Sequence, residues 1–230
     1  MNQKKTIVNY FNDELKIDLE NYFKIKVVGA KLINDRFGYN KRAYKFDGIN
    51  DYIEVINSRR LSFSNESFSI SLWVKIKDNE NTYRTFFVIS NKELMPRIEI
   101  MKGRSEYDEF KGNIYIQIAE SKEHQSTAIS LKNGEELEKN QWTHIVGVVD
   151  YDNLKLSLFI NNKIQQVVDL INNFSMPKEK LLIVRIGQSS SSSNAWNKQR
   201  HNDAIDDIKI YNGVLNKKQI SSLFYSKKKN

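Results

Sequence analysis

Residues 68–76 carry the pattern that most constrains the fold of this chain. Every second position in this stretch is apolar: Phe68, Ile70, Leu72, Val74 and Ile76. The positions between them are Ser69, Ser71, Trp73 and Lys75. A period of two residues predicts a β-strand with one face in a hydrophobic core.

Many similar short runs, separated by turn signals, follow along the chain. We predict strands at residues 43–46, 52–56, 68–76, 85–90, 114–118, 128–131, 142–150, 154–160, 165–170, 181–187 and 205–211. The turn signals are Asp47-Gly48, residues 132–135 and Asn161-Asn162, which suit tight turns. This spacing predicts an all-β fold, a two-sheet antiparallel sandwich.

One short helix is predicted near the end of the chain, over residues 217–225. Asn216 is placed as its N-cap, and Gln219 is the partner three residues later in a capping box. Ile220, Leu223 and Phe224 share one side of this helix, which is expected to dock on the sandwich.

Composition excludes several classes of protein. There is no cysteine, so neither a disulfide framework nor a thiol nucleophile is available. The 36 Lys and Arg residues exceed the 28 Asp and Glu residues, but the lysines are dispersed and no basic helix accompanies them, so no nucleic-acid partner is expected. Neither a membrane-spanning run nor a signal peptide is evident, which leaves localisation open.

Four sequence blocks together identify a family resemblance. They are Asp35-Arg36-Phe37-Gly38 with residues 43–55, residues 68–74, residues 141–146, and residues 205–212 followed by the helix. In this order they resemble the bacterial laminin G-like jelly-roll domains of the concanavalin A-like lectin/glucanase superfamily. The resemblance covers about residues 34–224 and implies a jelly-roll sandwich. We take residues 1–230 as a single domain with a basic tail at 225–230.

The resemblance implies a binding module. Relatives bind carbohydrate, mediate adhesion or accompany catalytic domains, so we expect a glycan-binding or adhesion module. A protein-interaction or structural module of a virion or intracellular assembly is the alternative. An enzyme is not expected, because the Glu-x-Asp-x-x-Glu pattern of superfamily glucanases fails at Glu106-Tyr107-Asp108-Glu109-Phe110-Lys111, where Lys111 replaces the last glutamate. The partner is therefore a glycan or a protein surface, and the oligomeric state is open.

Two groups of residues are candidates for ligand contact. Trp196 lies in a polar loop with Asn197, Arg200 and His201, which supplies an aromatic ring and planar polar groups for sugar recognition. Its indole could instead cover the sandwich edge. Tyr83 and Arg84, with Arg97 and Tyr115, form a second candidate patch whose faces the sequence does not fix.

A structural Ca²⁺ is the one cofactor that the sequence suggests. Period two places Asp206 on the apolar face of its strand, where a carboxylate needs hydrogen bonds or a cation. The resemblance implies Ca²⁺ between this strand and an early loop, with Asp47, Gly48 and Asp51 as the other contributors. Alternatively, Asp47 and Asp51 cap a turn and Asp206 accepts backbone hydrogen bonds.

Overall fold

The structure is a computed structural model. It describes residues 6–10, 24–56, 66–77, 83–90, 97–103, 114–119, 129–132, 137–170, 183–189 and 201–226. These residues form fifteen strands and one helix. In chain order they are β1 (Thr6–Tyr10), β2 (Lys24–Val28), β3 (Lys31–Ile33), β4 (Ala43–Lys45), β5 (Tyr52–Ile56), β6 (Phe68–Lys75), β7 (Arg84–Ser90), β8 (Arg97–Lys102), β9 (Ile114–Ala119), β10 (Ile129–Lys132), β11 (Trp142–Asp150), β12 (Lys155–Ile160), β13 (Lys163–Asp169), β14 (Ile183–Ile186), β15 (Ala204–Asn212) and α1 (Lys217–Phe224).

Two antiparallel sheets make up the sandwich, as the alternating pattern predicted. Sheet A has the order β13-β12-β11-β6-β15-β4-β3, and β1 also pairs with β15. Sheet B has the order β10-β9-β8-β7-β14-β5-β2. About half of the pairings in each sheet join strands that are not consecutive in the chain, so each sheet depends on long-range pairing.

The core lies between the sheets and is built from alternate strand residues. Phe68, Ile70, Leu72 and Val74 of β6 belong to it, which confirms the inward face predicted for this strand. Gly147 of β11 provides room in this layer, because an added Cβ would lie 2.4 Å from the Cδ1 atom of Ile116.

Helix α1 covers the outer face of sheet A, the face turned away from the core. Its capping box is present: Asn216 Oδ1 accepts from the Gln219 N–H at 2.9 Å, and Gln219 Oε1 accepts from the Asn216 N–H at 3.0 Å. Ile220 is fully buried against the sheet, and the Phe224 ring stacks on Trp73 with centroids 5.7 Å apart. The predicted helix, its cap and its docking side are thus confirmed.

Strand β8 was missed from the sequence. Its residues Arg97, Glu99 and Lys102 are charged, yet all three are buried within sheet B. Ile98 and Ile100 face the core between them. Arg97 and Glu99 therefore lie on the face opposite Ile98 and Ile100, and that face is itself out of solvent.

Candidate functional site

A row of polar side chains crosses the outer face of sheet B, the face opposite the core. Register pairs Gln117 with Glu99, Glu99 with Val88, and Val88 with Arg185. Glu54 and Lys26 continue the row on β5 and β2. Cross-strand neighbours share a face. Five of the six strands that this row crosses therefore contribute a hydrogen-bonding side chain to one surface.

One half of this row is buried and centred on Glu99. Glu99 Oε1 accepts a hydrogen bond from Thr85 Oγ1 at 2.6 Å, and Oε2 lies 3.4 Å from Arg97 Nε without the alignment of a hydrogen bond. Burial and the nearby Glu99 charge raise the pKa of Tyr115, so its hydroxyl keeps its proton. The Ser90 hydroxyl is buried there with no hydrogen-bond partner.

The other half reaches solvent and is formed by Tyr52, Glu54, Arg185 and Lys26. Arg185 donates from both Nε, at 2.9 Å, and Nη2 to the same oxygen, Glu54 Oε2. The side chains of Arg185 and Glu54 are 22% and 12% exposed. The Arg185 guanidinium lies over the Tyr52 ring at 5.1 Å, and Lys26 Nζ lies 5.7 Å from the same ring.

These contacts hold two planar polar groups and an aromatic ring in fixed positions. The guanidinium is held by its two hydrogen bonds to Glu54, by a long one from Nη1 to the Ser189 carbonyl at 3.5 Å, and by the ring, so it loses little further freedom when it binds. Among the described residues, no hydrogen bond is donated to Glu54 Oε1. The exposed half can therefore accept from and donate to a polar ligand.

The row contains no pair of carboxylates at a hydrolytic spacing in the described part of the chain. Glu99 on β8 and Glu54 on β5 are three strand intervals apart, or about 14 Å at the usual spacing. Glycoside hydrolysis needs carboxylates about 5–10 Å apart. These two residues therefore cannot form such a pair.

The second patch predicted from the sequence is only partly brought together. Arg97 and Tyr115 lie on the outer face of sheet B, and Tyr83 is close enough to Tyr115 to affect its pKa. Arg84 points elsewhere: its Nη1 donates to Asp203 Oδ2 at 2.8 Å, and its side chain is 1% exposed. The Arg84–Asp203 pair links the start of β7 to the start of β15.

The polar-loop prediction falls largely outside the described residues. Trp196, Asn197 and Arg200 lie outside the described residues, so their role in ligand binding remains a prediction. His201 is described and is fully buried, with its ring 5.0 Å from the Phe86 ring. Because no part of its side chain reaches solvent, the expected ligand contact from His201 is not available in this structure.

The orientation predicted for Asp206 is wrong. The register of β15 shifts between Asp206 and Lys209, and Asp207 adopts a positive φ of 46°. Ile205 and Ile208 therefore both face the core, and Asp206 lies on the outer face of sheet A opposite Trp73. A β-bulge adds one residue and reverses the alternation that follows.

The residues predicted to bind Ca²⁺ make the hydrogen bonds of the alternative prediction, in which Asp206 accepts from backbone N–H groups. Asp206 Oδ2 accepts from the Arg36 N–H at 3.1 Å, and its Oδ1 accepts from the Asp207 N–H at 2.8 Å. Burial, and then the Asp207 charge, raise the pKa of Asp206 to about 7. Asp207 in turn accepts from Arg36 Nε at 3.2 Å.

Asp47 caps its own turn. Its Oδ1 accepts from the N–H groups of Ile49 at 2.7 Å and Asn50 at 3.2 Å, and Asp51 Oδ2 accepts from the Asp47 N–H at 2.9 Å. Burial acts to raise the pKa of Asp47, but these backbone hydrogen bonds lower it overall. Gly48 has a φ of 74°, which the turn requires.

No group of three or more His, Asp or Glu side chains suited to a metal occurs among the described residues. Ca²⁺ at Asp206, Asp47, Gly48 and Asp51 remains a prediction.

The four sequence blocks meet on the outer face of sheet A. Arg36 lies 4.3 Å from the Trp73 ring, and Trp73 stacks on His144 with centroids 4.9 Å apart. Ser71 Oγ lies 2.8 Å from His144 Nε2. Burial lowers the pKa of His144 to about 3, so the ring is neutral and packed beneath α1. The blocks therefore mark a packing centre beneath the helix.

A laminin G-type family model, described as the concanavalin A-like lectin/glucanases superfamily, matches residues 47–221. The chain belongs to this superfamily. No curated protein matched the chain at a significant level.

Solved structures share the fold at low sequence identity. Domain 4 of AbnA, an extracellular arabinanase from Geobacillus stearothermophilus, in complex with arabinotriose, matches with a TM-score of 0.69 and 19% identity, over 96% of this chain and 99% of that one. The botulinum neurotoxin serotype D binding domain matches with a TM-score of 0.63 and 19% identity, over 88% of this chain and 46% of that one. The binding domain of Paraclostridial Mosquitocidal Protein 1 matches with a TM-score of 0.63 and 17% identity, over 89% of this chain and 47% of that one.

The chain thus spans nearly all of the arabinanase domain and about half of the two toxin chains. At these identities the likeness shows the fold. By their descriptions, the arabinanase domain was solved in complex with arabinotriose, and the two toxin structures are binding domains. Within the part of the chain that the structure describes, no helix has the length and apolarity needed to cross a membrane.

Proposed function

We propose that this chain is a non-catalytic carbohydrate-binding module whose site is the outer face of sheet B. The observation that carries this proposal is the fixed group Tyr52, Glu54 and Arg185 at the exposed half of the polar row. Specific small-ligand sites use a few well-placed polar groups beside apolar surface to fix orientation. A guanidinium, a carboxylate and a tyrosine ring provide both kinds of contact for sugar hydroxyls and ring C–H groups.

Two atoms in the buried half of the same polar row support a binding role. Ser90 Oγ and Glu99 Oε2 make no hydrogen bond in the described structure, although both are buried. Such groups cost about 1–3 kcal/mol each, so their retention in a native fold calls for a reason. A ligand site on the same face supplies one, since polar groups kept for recognition are not optimised for folding.

The non-catalytic assignment is supported by the spacing of Glu54 and Glu99 and by the binding domains among the structural relatives. We further propose that the loop around Trp196 makes a second contact with the glycan and supports adhesion. Glycan binding by Trp196→Ala tests this part separately.

A glycan array that includes arabinotriose tests the proposal, with Tyr52→Ala as the variant. The substitution removes the ring beneath Arg185, and we expect about a tenfold loss of affinity, near the value of one well-packed stacking contact. Tyr39→Ala is the control, because Tyr39 also lies beneath an arginine, Arg42 at 4.9 Å, although Tyr39 is exposed and Tyr52 is half-buried. Equal affinity of both variants for the glycan would rule out the sheet B site. No binding of the wild type to any glycan would rule out the proposed function.

Protein interaction is the second candidate, and the edge of the sandwich formed by β2 and β3 favours it. Ile25 and Val27 of β2 and Leu32 of β3 are 40%, 44% and 47% exposed. Apolar residues exposed on edge strands are typical of surfaces that pair with another chain. Light scattering of wild type and Leu32→Ser tests this: a concentration-dependent assembly lost in the variant supports it, and a monomer at all concentrations contradicts it.

A further inference from the structure

A groove of about 430 Å³ lies on the other side of the molecule, between α1 and the β12–β13 hairpin. Its lining residues are Phe159, Asn162, Ile164, Lys217, Lys218 and Ser221. Its volume is within the range of about 300–1,000 Å³ for small-molecule sites. It belongs to sheet A and shares no residue with the site on sheet B.

The floor of the groove is apolar and rigid. Phe159 and Ile164 are directly opposed across the hairpin, and Ile164 is 46% exposed. The hairpin turn is Asn161-Asn162, with both residues at positive φ. It is tied to β11, because the His144 N–H donates to Asn161 Oδ1 at 2.9 Å and the Asn161 N–H donates to the His144 carbonyl at 2.8 Å.

The wall of the groove is cationic. Lys217 and Lys218 are exposed in the first turn of α1, which carries no acidic residue. No acidic residue lines the groove either. A helix N-terminus already has a partial positive charge, so cations there are unfavourable and anions are favourable. Two lysines at this position break a local rule of helix stability, and such violations concentrate at functional sites.

Polar groups complete the lining. Asn162 Nδ2 lies 3.4 Å from Ser221 Oγ, at the outer limit for a hydrogen bond, so the amide and the hydroxyl hold each other only weakly. Both can turn towards hydroxyl groups of a ligand.

We propose that this groove binds an acidic unit of an anionic oligosaccharide. The carboxylate pairs with Lys217 and Lys218, the C–H face of the sugar ring packs on Ile164, and the hydroxyls contact Asn162 and Ser221. An apolar floor beside two cations distinguishes such a ligand from a simple inorganic anion, which has nothing to place on the floor. This site goes beyond the proposed function and does not depend on the sheet B face.

Calorimetric titration with tetragalacturonate tests the proposal, with a neutral tetrasaccharide as the reference probe. Lys217→Gln/Lys218→Gln is the variant, and we expect it to lose affinity for tetragalacturonate by about tenfold or more, since each charge-assisted contact contributes about that factor. Lys41→Gln/Lys139→Gln is the matched control, with the same change in net charge at two exposed lysines that do not line the groove.

The melting temperature of each variant serves as the control for correct folding. The groove variant is expected to melt no lower than the charge-matched control, because it removes two cations from the helix N-terminus. Equal weakening in both double variants, or no binding of tetragalacturonate, would overturn the proposal. Binding to phosphatidylserine vesicles without binding to tetragalacturonate would overturn the assignment of a saccharide. Tyr52→Ala leaves this titration unchanged, so failure of one site is distinguishable from failure of the other.

Discussion

His201 gives a pH-dependent stability that can be worked out from its surroundings. The ring lies between Phe46 and Phe86, with centroids 5.8 and 5.0 Å away, and Nε2 donates to the Ala204 carbonyl at 3.3 Å. Burial is the main cause that lowers its pKa to about 3. The neutral ring is therefore the folded form, and protonation opposes folding.

The sign and size follow from linkage. A histidine whose folded pKa is lowered contributes stability above its unfolded pKa of about 6.5, and this stability is lost as pH falls towards 3. Between pH 7.5 and pH 4, His201 alone reduces the free energy of unfolding by about 3 kcal/mol, since pH 4 lies about 2.5 below the unfolded pKa and each pH unit costs about 1.36 kcal/mol.

His201→Phe removes this titration and keeps an aromatic ring in the site. At about pH 7.5 the variant is expected to be less stable by about 1 kcal/mol, because the hydrogen bond to Ala204 is lost. At about pH 4 it is expected to be more stable than wild type by about 2 kcal/mol. Urea denaturation at both pH values measures the crossover.

His201→Gln is the control for the lost ring, because glutamine does not titrate but can still donate to Ala204. Both variants should show the smaller pH dependence. If their free energies of unfolding fall with pH as steeply as that of wild type, His201 is not the buried neutral group described here.

Three further predictions concern other parts of the fold. Gly187→Ala is expected to cost about 2–4 kcal/mol in a denaturant titration, because φ is 81° and an added Cβ would lie 2.4 Å from the Phe46 ring; unchanged stability would contradict this packing. Asn216→Ala should cost about 1 kcal/mol through loss of the N-cap of α1, with Asn212→Ala, at the exposed last residue of β15, as the control. The calcium prediction is tested by melting in Ca²⁺ and in chelator: a higher melting temperature in Ca²⁺ that Asp206→Asn abolishes supports it, and equal melting of wild type removes it.

Much of the fold was predictable because its signals are local. The alternation of residues 68–76 placed β6, and the spacing of Asn216 and Gln219 placed the start of α1. Each pattern reflects an interaction made within a few residues along the chain. For this reason neither prediction needed knowledge of the tertiary partners.

The bulge at Asp207 was not predictable in the same way. Nothing in Ile205-Asp206-Asp207-Ile208 shows an inserted residue, because its evidence is the loss of register against β6. The polar row on sheet B was missed for a related reason. Glu54, Arg185 and Glu99 are separated by long stretches of sequence and meet only through the pairing of β5, β14, β7 and β8.

Alternation alone did carry a usable signal for this row. Arg97 and Glu99 alternate with Ile98 and Ile100, and Arg185 lies between Val184 and Ile186. Charged residues at every second position of strands that are otherwise apolar indicate a polar face. Which strands share that face is decided by the topology of the sheet.

The most direct test of a sugar site on sheet B is an NMR titration of the ¹⁵N-labelled chain with its best-binding neutral oligosaccharide. The proposed function predicts that the backbone amide shifts of Tyr52, Glu54 and Arg185 change saturably with ligand, while those of α1 do not. Saturable changes confined to the outer face of sheet A, with Tyr52, Glu54 and Arg185 unmoved, would contradict it.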